Sequence, residues 1–426
     1  MLSKIFTHTL LIISFFGVLQ AQNLQRRLML GIDISDKNNK IFITRVIEKT
    51  PAEKMGLQTH DEITHINNEK IKNYNELNQI LKKQEIKKEI SLRLIRNGQI
   101  ISLKGKLQEL PKEHSPSYQT IYGELPTALG TLRTILTLPK HPQKTYPAVL
   151  FIQGVGCYPI DTPFDTTYGH SKMMRDLSAK NIITLRIDKS GVGDSQGTPC
   201  EQIDFQSEVS CFLQALQLLK NQPFVDKNNI FIVGHSLGGL IAPIIAQKEN
   251  IKGIAVYGTI GQNWVNYLID SRRALALAKG ESEEDTENWT KTVTDCSVRF
   301  FLQRQSKDSI EKQNADCVDF LQKFSFRKPN YWYQLSDVNV AEQWANYNGF
   351  VLTLWGEYDK ASTAAEQEHI TNIINKKIPY RAAFLKIAHT DHKMSLLSPE
   401  NQQKIQDYNP QITQIIYDWL REKQEK

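Results

Sequence analysis

The sequence has 426 residues, of which 40% are hydrophobic and 23% are charged. These proportions are those of an ordinary soluble globular protein, and the length suggests two or three domains. The formal net charge of +6 is spread over interleaved lysines and glutamates and forms no single basic block. We therefore expect no nucleic acid as a partner.

The N-terminal residues follow the pattern of a secretory signal peptide. Lys4 precedes an apolar run over residues 10–19, and Leu19-Gln20-Ala21 comes just before polar residues. The apolar run is shorter than the ~20 residues that span a bilayer, which argues against the alternative of a membrane anchor. We expect cleavage after residues 1–21, which leaves a secreted or periplasmic protein with no stable membrane span.

Residues 24–108 are predicted to form a small α+β domain. Apolar patterning indicates strands over 40–46 and 89–95 and a helix over 75–83, and Asn97-Gly98 indicates a hairpin turn. The segment resembles a bacterial PDZ domain through Thr50-Pro51-Ala52-Glu53-Lys54-Met55-Gly56-Leu57 and through Leu30-Gly31-Ile32, which looks like its carboxylate-binding loop.

The PDZ resemblance implies a groove that accepts an extended peptide, or a protein C-terminus, by strand addition. Leu30, Gly31 and Ile32 would then capture the terminal carboxylate on backbone N–H groups. The alternative is a PDZ-like fold that serves only as a spacer. The polar residues 109–117 are expected to form a linker to the next domain.

Residues 118–424 are predicted to form an α/β domain. Short apolar β-rich runs recur between helical segments, at residues 148–152, 182–187, 230–233, 254–257, 350–355 and 382–387. Continuous hydrophobicity suits parallel strands that are covered on both faces, so we expect a mostly parallel sheet. Apolar residues at helical spacing over 205–220 predict a core helix.

The strand at 230–233 runs into Gly234-His235-Ser236-Leu237-Gly238 and then into an apolar helix. A strand, a G-x-S-x-G turn and a helix together form a nucleophile elbow, which exposes the serine hydroxyl. Serine is a weak nucleophile unless a base takes its proton and a carboxylate orients that base. We therefore expect an acid and a histidine downstream of Ser236.

Two later loops supply these groups. Gly356-Glu357-Tyr358-Asp359 follows the fifth predicted strand, and Ala388-His389-Thr390-Asp391-His392 follows the sixth. This order resembles the α/β-hydrolase family, which implies Asp359 as the acid and His392 as the base. Glu357 and His389 remain as rivals. The resemblance also implies that the aromatic-rich helical insertion over about 261–348 is a cap over the active site.

The family resemblance further implies an oxyanion hole of backbone N–H groups. Leu237 supplies one N–H by position, and Val155 in Gln153-Gly154-Val155-Gly156 supplies the second, with Gln153 in place of the family's usual histidine. The Gly-rich segment 186–197 resembles a structural turn of the same family. No cofactor or metal is expected, since the chain lacks phosphate-loop spacing and a metal-ligand cluster.

The sequence contains five cysteines. Export would allow them to pair. Cys157 and Cys200 follow motifs expected at the catalytic face, and Cys296 and Cys317 flank one helical stretch, so we hypothesise these two disulfides. Cys211 lies among apolar residues of a helix and is expected to be a buried thiol.

The leading functional prediction is an exported serine hydrolase that cleaves a small carboxylic ester through an acyl-enzyme. A serine peptidase acting on short peptides, of the aminopeptidase or prolyl-oligopeptidase kind, would use the same residues. From another class, the chain could be a non-catalytic scaffold that binds peptides through its PDZ groove. Fold alone does not choose among these.

Overall fold

The computed structural model describes residues 24–140, 145–165 and 167–425. The described chain divides into two compact units, Leu24–His114 and the part that begins at Ser115. The predicted signal peptide over residues 1–21 lies outside the described residues. Within the described part of the chain, no helix combines the length and the apolar character that a bilayer span requires.

The N-terminal unit consists of short strands and helices. Its strands are β1 (Leu28–Met29), β2 (Ile32–Lys37), β3 (Lys40–Val46), β4 (Glu62–Ile66), β5 (Glu69–Lys70), β6 (Glu89–Arg96), β7 (Gln99–Lys106) and β8 (Gln108–Glu109), and its helices are α1 (Pro51–Lys54) and α2 (Tyr74–Lys82). The strands pair in the order β2-β3-β4-β6-β7, with β5 on β4, while β1 pairs with β8. The predicted hairpin joins β6 to β7, where Asn97 and Gly98 have φ values of 50° and 80°.

The N-terminal unit extends into the predicted linker. Arg26 Nε donates to the Leu110 carbonyl at 3.1 Å, and its Nη2 donates to the Pro111 carbonyl at 2.8 Å. These bonds hold the first residues of the segment 109–117 to the unit.

The second unit is an α/β structure. Its strands are β9 (Tyr118–Thr127), β10 (Gly130–Pro139), β11 (Tyr146–Ile152), β12 (Ile183–Ile187), β13 (Val225–His235), β14 (Gly253–Tyr257), β15 (Phe350–Gly356), β16 (Ala382–Ile387), β17 (Leu396–Leu397) and β18 (Lys404–Gln406). The helices outside the insertion are α3 (Gly169–Ala179), α4 (Phe205–Lys220), α5 (Leu237–Ala246), α12 (Ala364–Lys377) and α13 (Gln411–Gln424), with a 3₁₀ turn at Cys200–Gln202.

The main sheet has the strand order β16-β15-β14-β13-β11-β12-β10-β9, and β17 pairs separately with β18. Strands β11 to β16 run parallel, which confirms the predicted parallel sheet. Strands β9 and β10 add an antiparallel edge that the apolar pattern did not indicate. Every residue of β12 and β14 is buried, as expected for strands covered on both faces.

Helix α4 spans the predicted range, because its apolar residues recur at helical spacing and its N-terminus is capped. Asp204 accepts a hydrogen bond from the Ser207 N–H at 2.8 Å, which satisfies one of the free donors of the first turn. Phe205, Val209 and Phe212 on its inner face are buried in the core.

The insertion between β14 and β15 is helical. It contains α6 (Trp264–Ala278), α7 (Glu283–Ser297), a π-helical turn (Val298–Leu302), α8 (Lys307–Gln313), a 3₁₀ turn (Ala315–Cys317), α9 (Val318–Gln322), α10 (Pro329–Ser336) and α11 (Val340–Ala345). Its aromatic residues pack mainly against one another: Trp264 stacks on Trp332 at 5.5 Å between ring centroids, and Phe301 contacts Phe324 at 5.0 Å. The helical insertion is therefore held by an aromatic core of its own.

Candidate active site

Ser236 lies at the turn between strand β13 and helix α5. Its φ of 53° and ψ of −126° are strained for a residue with a side chain, and such strain concentrates at functional sites. The turn requires glycine at its neighbours, since a Cβ on Gly234 would lie 2.7 Å from the Gly239 Cα, and one on Gly238 would lie 2.1 Å from the Ile152 carbonyl oxygen. The expected elbow geometry is present.

Backbone bonds hold this turn to the sheet. The Ser236 N–H donates to the Tyr257 carbonyl at 3.0 Å, and the Thr259 hydroxyl donates to the Ser236 carbonyl at 2.8 Å. Within residues 24–140, 145–165 and 167–425, the Ser236 hydroxyl itself makes no hydrogen bond. The side chain is thus left available for another partner.

Asp359 and His392 form a hydrogen-bonded pair beyond strands β15 and β16. His392 Nδ1 lies 2.8 Å from Asp359 Oδ2, and the Asp359 side chain is fully buried while that of His392 is 24% exposed. Asp359 also accepts bonds from the Ala361 N–H and from the N–H and hydroxyl of Ser362. Burial alone would raise the pKa of Asp359, but the bond and charge of His392 together with these N–H groups lower it.

The pair lies close to the elbow. A Cβ on Gly258, which directly follows β14, would lie 2.7 Å from Asp359 Oδ2 and 3.0 Å from His392 Nδ1. The His392 ring lies 4.8 Å, between centroids, from the ring of His235, which precedes Ser236. Parallel strands end at one edge of a sheet, and this arrangement brings their terminal residues together.

The rival residues form a different pair. His389 Nδ1 lies 3.3 Å from Glu357 Oε2, and the two side chains are 41% and 29% exposed. His389 is also 3.2 Å from the Tyr358 hydroxyl, and Glu357 binds Lys386 Nζ at 2.8 Å. His389, Glu357 and their partners therefore form a polar cluster that is partly exposed to solvent.

A buried chain of histidines supports the His392 loop. His235 Nε2 donates to the His392 carbonyl at 2.8 Å, which requires the neutral His235 ring to accept on Nδ1 from His170 Nε2 at 2.9 Å. The Tyr168 hydroxyl, 3.1 Å from His170 Nδ1, completes the chain. Burial, reinforced by the neighbouring His392 charge, lowers the pKa of His235 to about 3.

The loop after β11 lies against Ser236, as the oxyanion-hole prediction requires. A Cβ on Gly154 would be 3.1 Å from the Ser236 Cβ. Among the residues that the structure describes, the N–H groups of Val155 and Leu237 have no hydrogen-bond acceptor. Both N–H groups are therefore free to donate to a substrate oxygen. The Gln153 amide is buried and has no partner in the described chain.

The segment 186–197 braces its own turn, as the resemblance implied, and also contacts the loop after β11 and helix α4. Asp188 accepts a hydrogen bond from the Ile160 N–H at 2.7 Å, and Asp194 forms a buried ion pair with Arg133. These two contacts brace the turn. Lys189, however, reaches the Gly154 carbonyl at 2.6 Å and the buried Glu208 carboxylate at 2.8 Å.

Two of the buried polar residues, Glu208 and His170, were not singled out by the sequence analysis. Glu208 carried a signal, since a carboxylate inside the apolar face of α4 needs a buried partner. His170 carried none, because nothing in its neighbourhood distinguishes it from a surface histidine.

Both hypothesised disulfides are present. Cys157 is bonded to Cys200, and Cys296 is bonded to Cys317. Cys211 is a free, buried thiol, and burial raises its pKa to about 11, so it is unreactive at neutral pH.

Comparison with protein families gives two matches. Residues 29–107 match the PDZ domain, and residues 166–281 match the family described as serine aminopeptidase, S33. The second match includes Ser236 and ends before Asp359 and His392.

Two relatives with known names are similar to part of the chain. Esterase EstD of Thermotoga maritima is 27% identical over 158 residues, which are 36% of each chain. A thiohydrolase of Eupenicillium brefeldianum is 34% identical over 100 residues, which are 24% of this chain and 30% of that one. The chain thus spans about a third of the length of the curated relatives it matches.

Solved structures of similar fold include the following two. Est1E from Butyrivibrio proteoclasticus is 14% identical, with a TM-score of 0.46, over 72% of this chain and 99% of that one. EstE1, a carboxylesterase cloned from a metagenomic library, is 16% identical, with a TM-score of 0.47, over 73% and 90% of the two chains.

Proposed function

We propose that the chain joins a PDZ domain to an α/β-hydrolase domain and is an exported serine hydrolase that cleaves carboxylic esters. Ser236 is the nucleophile, His392 the base and Asp359 the acid. The observation that carries this proposal is the buried Asp359–His392 hydrogen bond of 2.8 Å beside the strained Ser236 turn.

The proton positions follow from this bond. The lowered pKa of Asp359 keeps it ionised, so it accepts the Nδ1 proton of His392 and leaves His392 Nε2 as a proton acceptor. As Ser236 Oγ attacks the ester carbonyl carbon, its proton passes to His392 Nε2. The N–H groups of Val155 and Leu237 bind the negative oxygen of the tetrahedral intermediate.

The intermediate then collapses to an acyl-enzyme. His392 returns its proton to the departing alcohol. A water molecule, deprotonated by His392, then attacks the acyl carbon, and His392 gives this proton to Ser236 Oγ as the bond between Oγ and the acyl carbon breaks and the acid is released. The ester preference is supported by the similarity to an esterase and a thiohydrolase.

A fluorophosphonate probe tests the nucleophile. We expect the probe to label the wild-type chain at Ser236 and to leave Ser236→Ala unlabelled. Labelling that survives Ser236→Ala would contradict the proposal, and absence of wild-type labelling would favour a scaffold that works through its PDZ groove.

Peptide hydrolysis is the second candidate activity, and the match of residues 166–281 to a serine aminopeptidase family favours it. Kinetics on short p-nitrophenyl acyl esters and on aminoacyl anilides, measured side by side, distinguish the two. We expect faster ester turnover, and faster anilide turnover would reverse the assignment.

Export is supported by the two disulfides, since such bonds persist in oxidising compartments. Thiol labelling of the denatured, unreduced protein purified from the exported fraction should find only Cys211. Four or more reactive thiols there would contradict the proposal.

The PDZ groove is proposed to bind a peptide C-terminus at Leu30, Gly31 and Ile32. Strand β2 is at the end of the described sheet order, where an added strand can pair, and Gly31 has a φ of 92° and lies against Thr50. We expect peptides with a free carboxylate to bind and their C-terminal amides to bind far more weakly. Equal binding of the two forms would exclude carboxylate capture.

A further inference from the structure

A buried carboxylate outside the proposed triad joins three separate elements of the second unit. Glu208 of α4 binds Lys189 Nζ at 2.8 Å and Arg327 Nη2 at 2.9 Å, and all three side chains are at most 2% exposed. Lys189 follows strand β12, and Arg327 belongs to the helical insertion between α9 and α10. Burial alone would raise the pKa of Glu208, but the charges of Lys189 and Arg327 lower it, so Glu208 is ionised at neutral pH. Burial lowers the pKa of Lys189 to about 8, although the charge of Glu208 opposes this shift.

Both cations also bind the loop after β11. Lys189 Nζ donates to the Gly154 carbonyl at 2.6 Å, and Arg327 Nη2 donates to the Val155 carbonyl at 2.6 Å. Arg327 Nη1 donates to the Cys200 carbonyl at 2.7 Å, and Cys200 is bonded to Cys157 of the same loop. The loop beside Ser236 is therefore fixed through two successive carbonyl groups.

Peptide geometry connects these contacts to the oxyanion hole. The described backbone has no cis peptide bond, and in a trans peptide the C=O and the following N–H point in opposite directions. Lys189, which binds the Gly154 carbonyl, therefore turns the Val155 N–H away from itself. A cation on the carbonyl also polarises the amide and strengthens its N–H as a donor.

Stability alone does not explain the cluster. The attraction within a buried ion pair often does no more than offset the free energy of removing its charges from water. Apolar residues of similar volume often give the same stability. The charges do, however, supply directional bonds to two chosen carbonyl groups, which apolar residues would not.

We propose that Lys189, with Glu208 and Arg327, positions the Val155 N–H as an oxyanion donor, so that the helical insertion takes part in building the catalytic site. Lys189 is thus a positioning residue, and it does not touch the substrate. The effect on catalysis rests on the proposed function. The orientation of the Val155 N–H by Lys189 rests on the backbone contacts alone.

The kinetic test compares Lys189→Met with Lys220→Met. Lys189→Met removes one charge while Arg327 still pairs with Glu208. Lys220→Met removes an ion pair with Glu249 at the C-terminal end of α4, the helix that carries Glu208. Loss of one oxyanion donor lowers kcat by about 10²–10³-fold, so a donor that is only misdirected should lower it by roughly 10–100-fold. We expect this fall in Lys189→Met, with KM unchanged, and wild-type kinetics in Lys220→Met.

A trifluoromethyl ketone, which forms an oxyanion on Ser236, supplies a readout that a general loss of structure would not reproduce. We expect its inhibition constant to rise in Lys189→Met by the same factor by which kcat/KM falls. The matching methyl carbinol, which forms no oxyanion, should bind both variants like the wild type. A raised KM with unchanged kcat, or unchanged kinetics and inhibition, would overturn the proposal.

A second measurement is independent of activity. In protein labelled with ¹⁵N-valine, the Val155 amide resonance, identified by its loss in Val155→Ala, should shift in Lys189→Met and not in Lys220→Met. If the wild type fails to react with the fluorophosphonate, the proposed function fails, and this resonance still decides whether Lys189 orients the amide; an unshifted resonance overturns that role. If Lys189→Met does not fold, Arg327→Gln serves as the second variant, because Arg327 holds the same loop through the Val155 carbonyl. We expect the same kinetic and spectral changes in Arg327→Gln, and wild-type behaviour of this variant would contradict the proposal.

Discussion

The same two loops carry two carboxylate–histidine pairs that differ in burial and in the number of hydrogen-bond donors around the carboxylate. Asp359 and His392 are 33 residues apart, and Glu357 and His389 are 32 apart, so spacing in the chain does not distinguish them. The Asp359 side chain is fully buried and accepts three bonds from Ala361 and Ser362 besides that of His392. Glu357 is 29% exposed, pairs with Lys386 and accepts a bond from the His389 N–H at 3.1 Å.

The difference shows what makes such a pair useful for catalysis. A buried carboxylate held by several donors keeps one orientation and one charge state, and its interaction with histidine is not screened by water. An exposed pair exchanges partners with water and ions and contributes little. The two pairs therefore form an internal control, in which each change at the buried pair has a matched change at the exposed one.

Replacing the two histidines gives the largest expected contrast. His392→Ala removes the proposed base, so kcat should fall by roughly 10⁴- to 10⁶-fold. His389→Ala removes an exposed side chain and should change kcat by no more than about twofold. Steady-state ester kinetics measure both, and the reverse pattern would assign the base to His389.

Replacing the two carboxylates gives the next contrast. Asp359→Asn keeps the shape of the side chain but favours the wrong tautomer of His392, and such a change lowers kcat by roughly 10⁴-fold in a triad. Glu357→Gln should leave kcat within about twofold of the wild type. Comparable losses in the two variants would show that the exposed pair also contributes.

The acid stability of the protein sharpens the comparison through His235, which supports only the buried pair. The pKa of His235 is about 3 in the folded chain, against about 6.5 when unfolded, so the unfolded state binds the extra proton between these values. Stability is then fully present above pH 6.5 and is lost as the pH falls, by about 3 kcal/mol from His235 between pH 6.5 and pH 4.

Urea unfolding at several pH values measures this loss. His235→Gln does not titrate, so its stability should depend less on pH over that range. His389→Gln, at an exposed site, should retain the wild-type dependence. Identical curves for His235→Gln and the wild type would exclude a neutral, buried His235.

Two tyrosines give the smallest contrast. The Tyr257 hydroxyl is hydrogen-bonded to the Asp391 carbonyl at 2.6 Å, next to His392, whereas the Tyr358 hydroxyl lies 3.2 Å from His389. Tyr257→Phe should reduce the free energy of unfolding by about 1 kcal/mol, because it removes one of the two donors to this partly buried carbonyl, the other being the Met394 N–H. Tyr358→Phe should change it by less than about 0.5 kcal/mol. Denaturant unfolding at neutral pH compares them, and equal effects would contradict the assignment.

Local sequence patterns predicted the parts of the fold that neighbouring residues determine. The range of α4 followed from its apolar spacing, the β6–β7 hairpin from Asn97-Gly98, and the Ser236 turn from its glycines, because each depends on backbone preferences over a few residues. The edge strands β9 and β10 were not predicted, because their apolar residues do not form continuous runs like those of the inner strands.

The polar network of the second unit could not be predicted in the same way. Glu208 and Arg327 are 119 residues apart, and His235 and the His392 carbonyl are 157 apart. No local pattern specifies such a partner, because the partner is chosen by burial, which excludes water and leaves each polar group only the acceptors that the fold brings near.

The sequence by itself thus determined the two units, the elbow that carries Ser236 and the two loops from which an acid and a base could come. Only the tertiary structure decided that Asp359 and His392 are the buried pair, and that Lys189 and Arg327 hold the loop of Val155. The physical reason is that sequence specifies backbone conformation locally, whereas charge state, hydrogen-bond direction and solvent screening depend on distant segments that meet in the folded core.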